Sequence, residues 1–131
     1  MTNSQAPISK QTVRTKVYDL EERTLRFAKR IIGICQQVPQ TAVNRPVIDQ
    51  LIRASGSVGA NYREANESLS KKDFQYRIKI TRKEAKEAQY WLQLFGAANP
   101  TVDGAISELE QEALELRKIF STIADKASVS A

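Results

Sequence analysis

Residues 51–95 read LIRASGSVGANYREANESLSKKDFQYRIKITRKEAKEAQYWLQLF, which is two helical patterns with one interruption at Ser70-Lys71-Lys72-Asp73. On both sides of the interruption, apolar or small residues recur every three or four positions, the period of an amphipathic helix. Ser70, followed three residues later by Asp73, is typical of a helix N-terminus. The stretch therefore predicts a helical hairpin with a tight turn near Leu69.

The same spacing of apolar residues continues outward in both directions and predicts two further helices. Proline and glycine mark the ends, since proline favours the first turn of a helix and disfavours helical geometry in the residue before it. Thr101 is the expected N-cap of the last helix. The four predicted helices cover about Lys16–Val38, Pro46–Asn66, Lys71–Gly96 and Thr101–Ala127.

Short connections make sequential helices antiparallel neighbours. The sequence therefore predicts an all-α protein with an antiparallel up-down-up-down four-helix bundle over residues 16–127. We expect the tails, residues 1–15 and 128–131, to be disordered.

Composition excludes most catalytic chemistry. The chain has 131 residues, enough for one domain, and contains no histidine, which removes Ser–His nucleophile pairs and the usual zinc sites. It has no glycine-rich phosphate-binding loop. We therefore expect no enzymatic activity, no metal site and no cofactor.

The chain shows no secretory signal and no apolar run of the ~18 residues that cross a bilayer. Its single cysteine, Cys35, can form no internal disulfide. These features predict a cytoplasmic protein.

The second helix carries a run of small residues, Ala54–Asn61, which includes two glycines. Each glycine costs a helix interior about 1 kcal/mol relative to alanine. Close packing against Ala85 and Ala88 of the third helix would explain the run. The alternative is a groove where a ligand or another subunit approaches the backbone.

Polar residues are expected to fix the register of the hairpin. Asn61 falls at a core position of the second helix and should be buried and hydrogen-bonded against the third. A turn centred near Leu69 also places complementary charges opposite each other. The same turn separates Glu64 from Glu84 and Glu87 by several helical turns, which disfavours a metal site formed by these three carboxylates. The predicted structural polar residues are Arg53 with Glu84 or Glu87, Glu64 with Arg77, and Asn61.

The third helix concentrates positive charge, in a chain whose net charge is +5. Lysines could neutralise phosphates, and tyrosines between them could stack on bases. Contact with a protein, or a merely solvated helix face, are the alternatives. The predicted nucleic-acid-binding residues are Lys72, Tyr76, Lys79, Arg82, Lys83 and Lys86, with Tyr90 on the same face.

Several helices carry more apolar residues than one core can bury, which favours a homo-oligomer. The surplus consists of Leu25, Ile32, Ile48, Ile52, Ile80, Tyr90, Trp91 and Leu94.

Three motifs, RASGSVGANYREA at 53–65, SKKDF at 70–74 and KEAKEAQYWL at 83–92, closely resemble the bacterial four-helix bundle proteins of the 23S ribosomal RNA intervening-sequence family. Members are often labelled S23 ribosomal proteins, and the resemblance covers roughly Tyr18–Ser121. It implies a cytoplasmic bacterial protein encoded, in some members, within an insertion in the large-subunit ribosomal RNA gene.

That family is similar to the accessory variability determinant of diversity-generating retroelements, a basic pentameric barrel of four-helix bundles that binds reverse transcriptase and nucleic acid. The similarity implies a homo-oligomeric ring of five subunits. Two functions are open: a non-catalytic oligomer that binds RNA or DNA electrostatically through the third helix, or an adaptor whose ring docks a protein such as a nucleic-acid enzyme.

Overall fold

The computed structural model describes residues 10–127, and over that range the chain is helical without any strand. This confirms the all-α prediction. The elements are α1 (Lys10–Cys35), α2 (Asn44–Asn66), α3 (Lys71–Ala98), a 3₁₀ turn (Pro100–Val102) and α4 (Asp103–Lys126). No helix within residues 10–127 has the length and apolarity needed to span a membrane.

Each helix packs on its sequence neighbours, most extensively α2 on α3, and α1 closes the bundle against α4. In the α1–α2 and α3–α4 hairpins, a residue in the first half of one helix contacts a residue at the end of the next helix, as antiparallel packing requires. The side-chain amide of Asn66 in α2 donates to Glu21 of α1, and that of Gln75 in α3 donates to the carbonyl of Ala124 in α4. The order of contacts fits the up-down-up-down topology.

The predicted helix boundaries hold best in the central hairpin. The Ser70 hydroxyl accepts a hydrogen bond from the backbone N–H of Asp73 at 3.1 Å, so Ser70 is the N-cap of α3. Thr101 is not an N-cap, because it lies in the 3₁₀ turn and α4 begins two residues later without a side-chain cap. Helix α1 begins at Lys10, inside the predicted N-terminal tail, while residues 1–9 and 128–131 lie outside the described range.

The core is built from the predicted stripes, with three phenylalanines among its largest fully buried side chains. Buried hydrophobic residues contribute most of the stability, at roughly 25 cal/mol per Å² of apolar surface. The central layers are Phe27 and Ile31 of α1, Leu51, Ala54 and Val58 of α2, Ile78, Ala85, Ala88, Leu92 and Phe95 of α3, and Ile106, Leu109, Ala113, Leu116 and Phe120 of α4.

Asn61 does not occupy the core position that its spacing predicts. It is only half-buried, and its side-chain amide donates to the carbonyl of Ser57 on its own helix at 2.8 Å. The neighbouring Tyr62 is buried instead, with 2% exposure, and its ring lies 5.3 Å from that of Phe120. Rotating the helix by one residue buries an aromatic ring in place of an amide, which is the more favourable arrangement.

The polar connection that sequence analysis assigned to Asn61 is made elsewhere, by Asn44 and Asn99. Each side-chain amide donates to the other side-chain oxygen, at 3.0 and 2.9 Å, and both residues are buried. Asn44 also donates to the carbonyl of Pro39, and Asn99 to that of Phe95. This reciprocal pair fastens the α1–α2 connection to the C-terminus of α3.

Among the small residues of α2, Gly59 lies close to α1. A Cβ atom on Gly59 would lie 3.0 Å from Oγ1 of Thr24, whereas one on Gly56 would meet no atom within 4 Å. Thr24 is fully buried, and its hydroxyl donates to the carbonyl of Leu20 at 2.8 Å. The expectation that the glycines face Ala85 and Ala88 is therefore wrong.

The central hairpin carries one of its two predicted ion pairs. Arg53 of α2 pairs with Glu84 at 3.2 Å and with Glu87, both on α3, as predicted. Glu64 and Arg77 form no ion pair within the part of the chain that the structure describes. Over the same residues, no group of three acidic or cysteine side chains could hold a metal ion.

Candidate nucleic-acid interface

A groove of about 430 Å³ runs between α3 and α4 on the surface of the bundle. All the charged residues that line it are cations, four from α3 and one from α4. The lining consists of Lys79, Arg82, Lys83, Lys86, Arg117 and Ser121. We call it the basic groove.

The structure thus brings four of the predicted nucleic-acid-binding residues together. Lys79, Lys83 and Lys86 are exposed and Arg82 is half-buried. Such a row on one helix follows from spacings of three and four residues, which return a side chain to the same face.

The other two predicted residues lie nearer the N-terminus of α3. Lys72 and Tyr76 line a separate, shallow depression together with Ser70 and Asp73. Tyr76 is 60% exposed, so its ring is available at the surface. The predicted set is therefore one continuous helix face that contains two neighbouring depressions.

Two of the three acidic residues of α3 point away from the basic groove. Glu84 and Glu87 both pair with Arg53 on the α2 side of the helix. The carboxylate of Glu87 also accepts a hydrogen bond from the indole N–H of Trp91 at 3.1 Å.

Three of the six acidic residues of α4 are directed in the same way toward α1. Arg23 contacts Glu112 and Glu115 at 2.7 and 2.8 Å, and Arg30 contacts Glu108 at 2.9 Å. Half of the acidic residues of α4 are thus paired within the subunit, with cations of α1.

These ion pairs are strong enough to affect titration. Hydrogen bonding to Glu112 is the main reason why the pKa of Arg23 lies above its usual range, although burial of Arg23 opposes the effect. Hydrogen bonds from Gln111 and then Arg23 lower the pKa of the Glu115 carboxyl. Both shifts favour the charged forms of the α1–α4 network.

The cations of the basic groove have no such partners. Within residues 19–127, none of the lysines and arginines of α3 forms an ion pair, and neither does Arg117. Arg117 donates instead to the side-chain oxygen of Gln89, a neutral acceptor, at 2.5 Å. Unpaired cations that converge on one groove are suited to an anionic polymer, because each can neutralise a phosphate and release its counterion.

Sequence reasoning did not find Arg117 and Ser121, which complete the groove from α4. Their position depends on the register of α4 against α3. The signal was present in principle, since α3 and α4 also form an antiparallel hairpin, in which Gln89 lies opposite Arg117.

A second groove, of about 220 Å³, lies on the opposite side of the bundle, between α1 and α2. Small side chains leave space for this groove between the two helices. Its lining consists of Ala28, Gly56, Gly59 and Ala60 together with Thr24, Leu25 and Arg63. Along the same face, Leu25, Ile32 and Ile52 remain 36%, 42% and 38% exposed. We call this surface the apolar face.

Fold and site together define an all-helical bundle with a basic groove between α3 and α4. The model of the family described as 23S rRNA-intervening sequence protein matches residues 16–122, and the chain belongs to that family. No curated protein matches the chain.

A crystal structure of a protein of unknown function from the S23 ribosomal protein family of Bacteroides thetaiotaomicron VPI-5482 has the same fold. It is 27% identical to this chain, with a TM-score of 0.75, and the match covers 84% of this chain and 98% of the other. These findings confirm the family and the four-helix architecture.

Proposed function

We propose that this protein is a non-catalytic, homo-oligomeric bundle that binds RNA or DNA electrostatically through the basic groove. The observation that carries the proposal is the separation of charge across α3 and α4. Their ion-paired acidic residues are directed at Arg53 of α2 and at Arg23 and Arg30 of α1, while the cations of the groove stay without ionic partners among the described residues.

The arrangement also accounts for the modest net charge of +5. Binding depends on the local charge density at the contact surface more than on the total. Five cations line a single groove. If they neutralise phosphates of a bound nucleic acid, the affinity should be strong and salt-dependent.

Reversal of Lys79 and Lys83 to glutamate tests the proposal. Both residues are exposed, so the variant should fold normally and lose binding to RNA of mixed sequence at low salt. Removing one lysine–phosphate pair should reduce the slope of log affinity against log salt by about 0.7 to 0.9. The measurement is fluorescence anisotropy over a salt series, with helicity checked by circular dichroism.

The matched control reverses Arg26 and Lys29, which are also exposed, lie on α1 and form no ion pair among residues 19–127. It makes the same change in total charge at a distance from the groove and should retain most of the affinity. If both variants lose binding equally, only net charge matters and the groove is not the site. If the wild type binds no nucleic acid even at low salt, the adaptor function replaces this one.

The oligomeric part of the proposal rests on the apolar face. A single subunit leaves Leu25, Ile32 and Ile52 in contact with water, and a second copy would cover them. This face lies across the bundle from the basic groove, so assembly through it would leave the groove accessible. A ring of five subunits is the form that the family resemblance implies.

Light scattering should give a mass several times 14.7 kDa. Ile32→Glu should reduce it to that of one subunit, because the new charge would be buried against a neighbour. Leu69→Glu is the control, since Leu69 is fully exposed at the α2–α3 turn. A monomeric wild type at micromolar concentration would refute the oligomer.

A further inference from the structure

Two exposed tyrosines lie beyond the two ends of the row of lysines on α3. Tyr76 is 60% exposed and Tyr90 is 54% exposed. They are separated by about 21 Å along the helix and by only about 40° around it, at 1.5 Å and 100° per residue. Lys79, Lys83 and Lys86 lie between them on the same side.

The ring of Tyr90 packs against the ring of its neighbour in the sequence. It lies 5.3 Å from the ring of Trp91 in an edge-on arrangement, at an interplanar angle of 76°. Trp91 is itself fixed by donating its indole N–H to Glu87, which pairs with Arg53. A ring that is restrained by such a contact loses less conformational freedom when another ring stacks on it.

Polar groups able to recognise bases surround Tyr90. Gln89 and Gln93 share a depression with it, next to Lys86 and Arg117. The amide of Gln93 can donate to and accept from a base edge at the same time, whereas the side-chain oxygen of Gln89 already accepts from Arg117 and its N–H groups are left to donate. At the other end, Tyr76 lies beside Lys72, so each tyrosine has a cation for the neighbouring phosphate.

We propose that the basic groove binds an unpaired nucleic-acid strand, with Tyr76 and Tyr90 as stacking platforms for bases at its two ends. This rests on the proposed function and specifies the form of nucleic acid that the site takes. In a duplex the base faces are stacked on one another and cannot reach the tyrosines, whereas an unpaired strand exposes them. A stacked strand rises ~3.4 Å per nucleotide, so the platforms would span about six nucleotides.

The experiment compares a 12-nucleotide unstructured RNA with a blunt-ended RNA duplex of 12 base pairs at equal salt. The full-length wild type should bind the unpaired RNA at least about tenfold more tightly, given the roughly 5- to 150-fold that each stacked base contributes. Tyr76→Ala combined with Tyr90→Ala should remove this preference. It should leave the salt slope unchanged, because the lysines still neutralise the same phosphates.

The conservative controls are Tyr76→Phe and Tyr90→Phe, which keep the rings and should retain the preference. Equal binding of both RNAs, abolished only in the Lys79→Glu/Lys83→Glu variant, would overturn the stacking proposal and leave the proposed function intact. Absence of binding to either RNA would overturn both. A smaller oligomer for Tyr90→Ala in light scattering would assign that ring to a subunit interface and also overturn the proposal.

Discussion

Replacing Gly59 with alanine tests the close approach of α1 and α2, and Gly56 on the same helix provides the matched reference. Within one subunit, the Cβ atom of an alanine at Gly56 would meet no atom within 4 Å. It should therefore gain the full difference in helix propensity, about 0.8 to 1 kcal/mol of stability.

At Gly59 the same gain is opposed by overlap with α1. The added Cβ would lie 3.0 Å from Oγ1 and 3.4 Å from Cβ of Thr24. The Thr24 hydroxyl cannot turn away without losing its hydrogen bond to the carbonyl of Leu20, so the helices must separate. Overpacking of this kind costs about 1 to 3 kcal/mol, so Gly59→Ala should be less stable than Gly56→Ala by that amount.

Urea unfolding followed by circular dichroism gives the two stabilities at one protein concentration. In a double-mutant cycle, Thr24→Ala should relieve part of the cost of Gly59→Ala, whereas Thr24→Ser should not, because it keeps the oxygen that clashes. The reasoning is refuted if Gly59→Ala stabilises the protein as much as Gly56→Ala does.

Three further predictions concern stability. Asn99→Ala should lower the free energy of unfolding in urea by about 2 to 3 kcal/mol, since it removes three hydrogen bonds and leaves the Asn44 side-chain oxygen buried without a donor. A loss of less than about 0.5 kcal/mol would contradict this prediction. Burial raises the pKa of the Cys35 thiol from 9.0 to about 11. The unfolded thiol therefore ionises first, so stability should fall between these pH values, and Cys35→Ala should flatten that part of the pH profile of urea unfolding. Arg53→Ala should cost no more than about 1 kcal/mol in physiological salt, because the Arg53 side chain is 44% exposed, and a thermal shift at two salt concentrations checks this.

The apolar spacing was sufficient to predict the four helices and nearly all of the core, because a period of 3.6 residues fixes which side of each helix is buried. It failed at Asn61, where the buried position is Tyr62. One residue is a rotation of about 100°, and the packing of an aromatic ring against α4, which spacing does not include, decides between the two.

The candidate site was predicted on α3 but not on α4. Lys79, Lys83 and Lys86 share a face by helical geometry alone, so a single sequence reveals them. Arg117 lies beside these lysines only because of the register of α4 against α3. Counting residues outward from the turn between two helices does not determine that register reliably. The same kind of count placed Arg53 correctly near Glu84 but also paired Glu64 with Arg77, which the described structure does not contain.

The amide pair of Asn44 and Asn99 gives the bundle two ends that are fastened by different chemistry. At the end where α1 and α2 are joined, the Asn44–Asn99 pair is neutral and buried, so neither added salt nor a change of pH weakens its hydrogen bonds. At the opposite end, the carboxylate of Glu21 joins α1 to α2 through Asn66 and Arg63 at a partly exposed site. Salt that displaces a charged ligand from the basic groove would therefore also weaken the contacts of Glu21, whereas the Asn44–Asn99 pair would persist through cycles of binding and release.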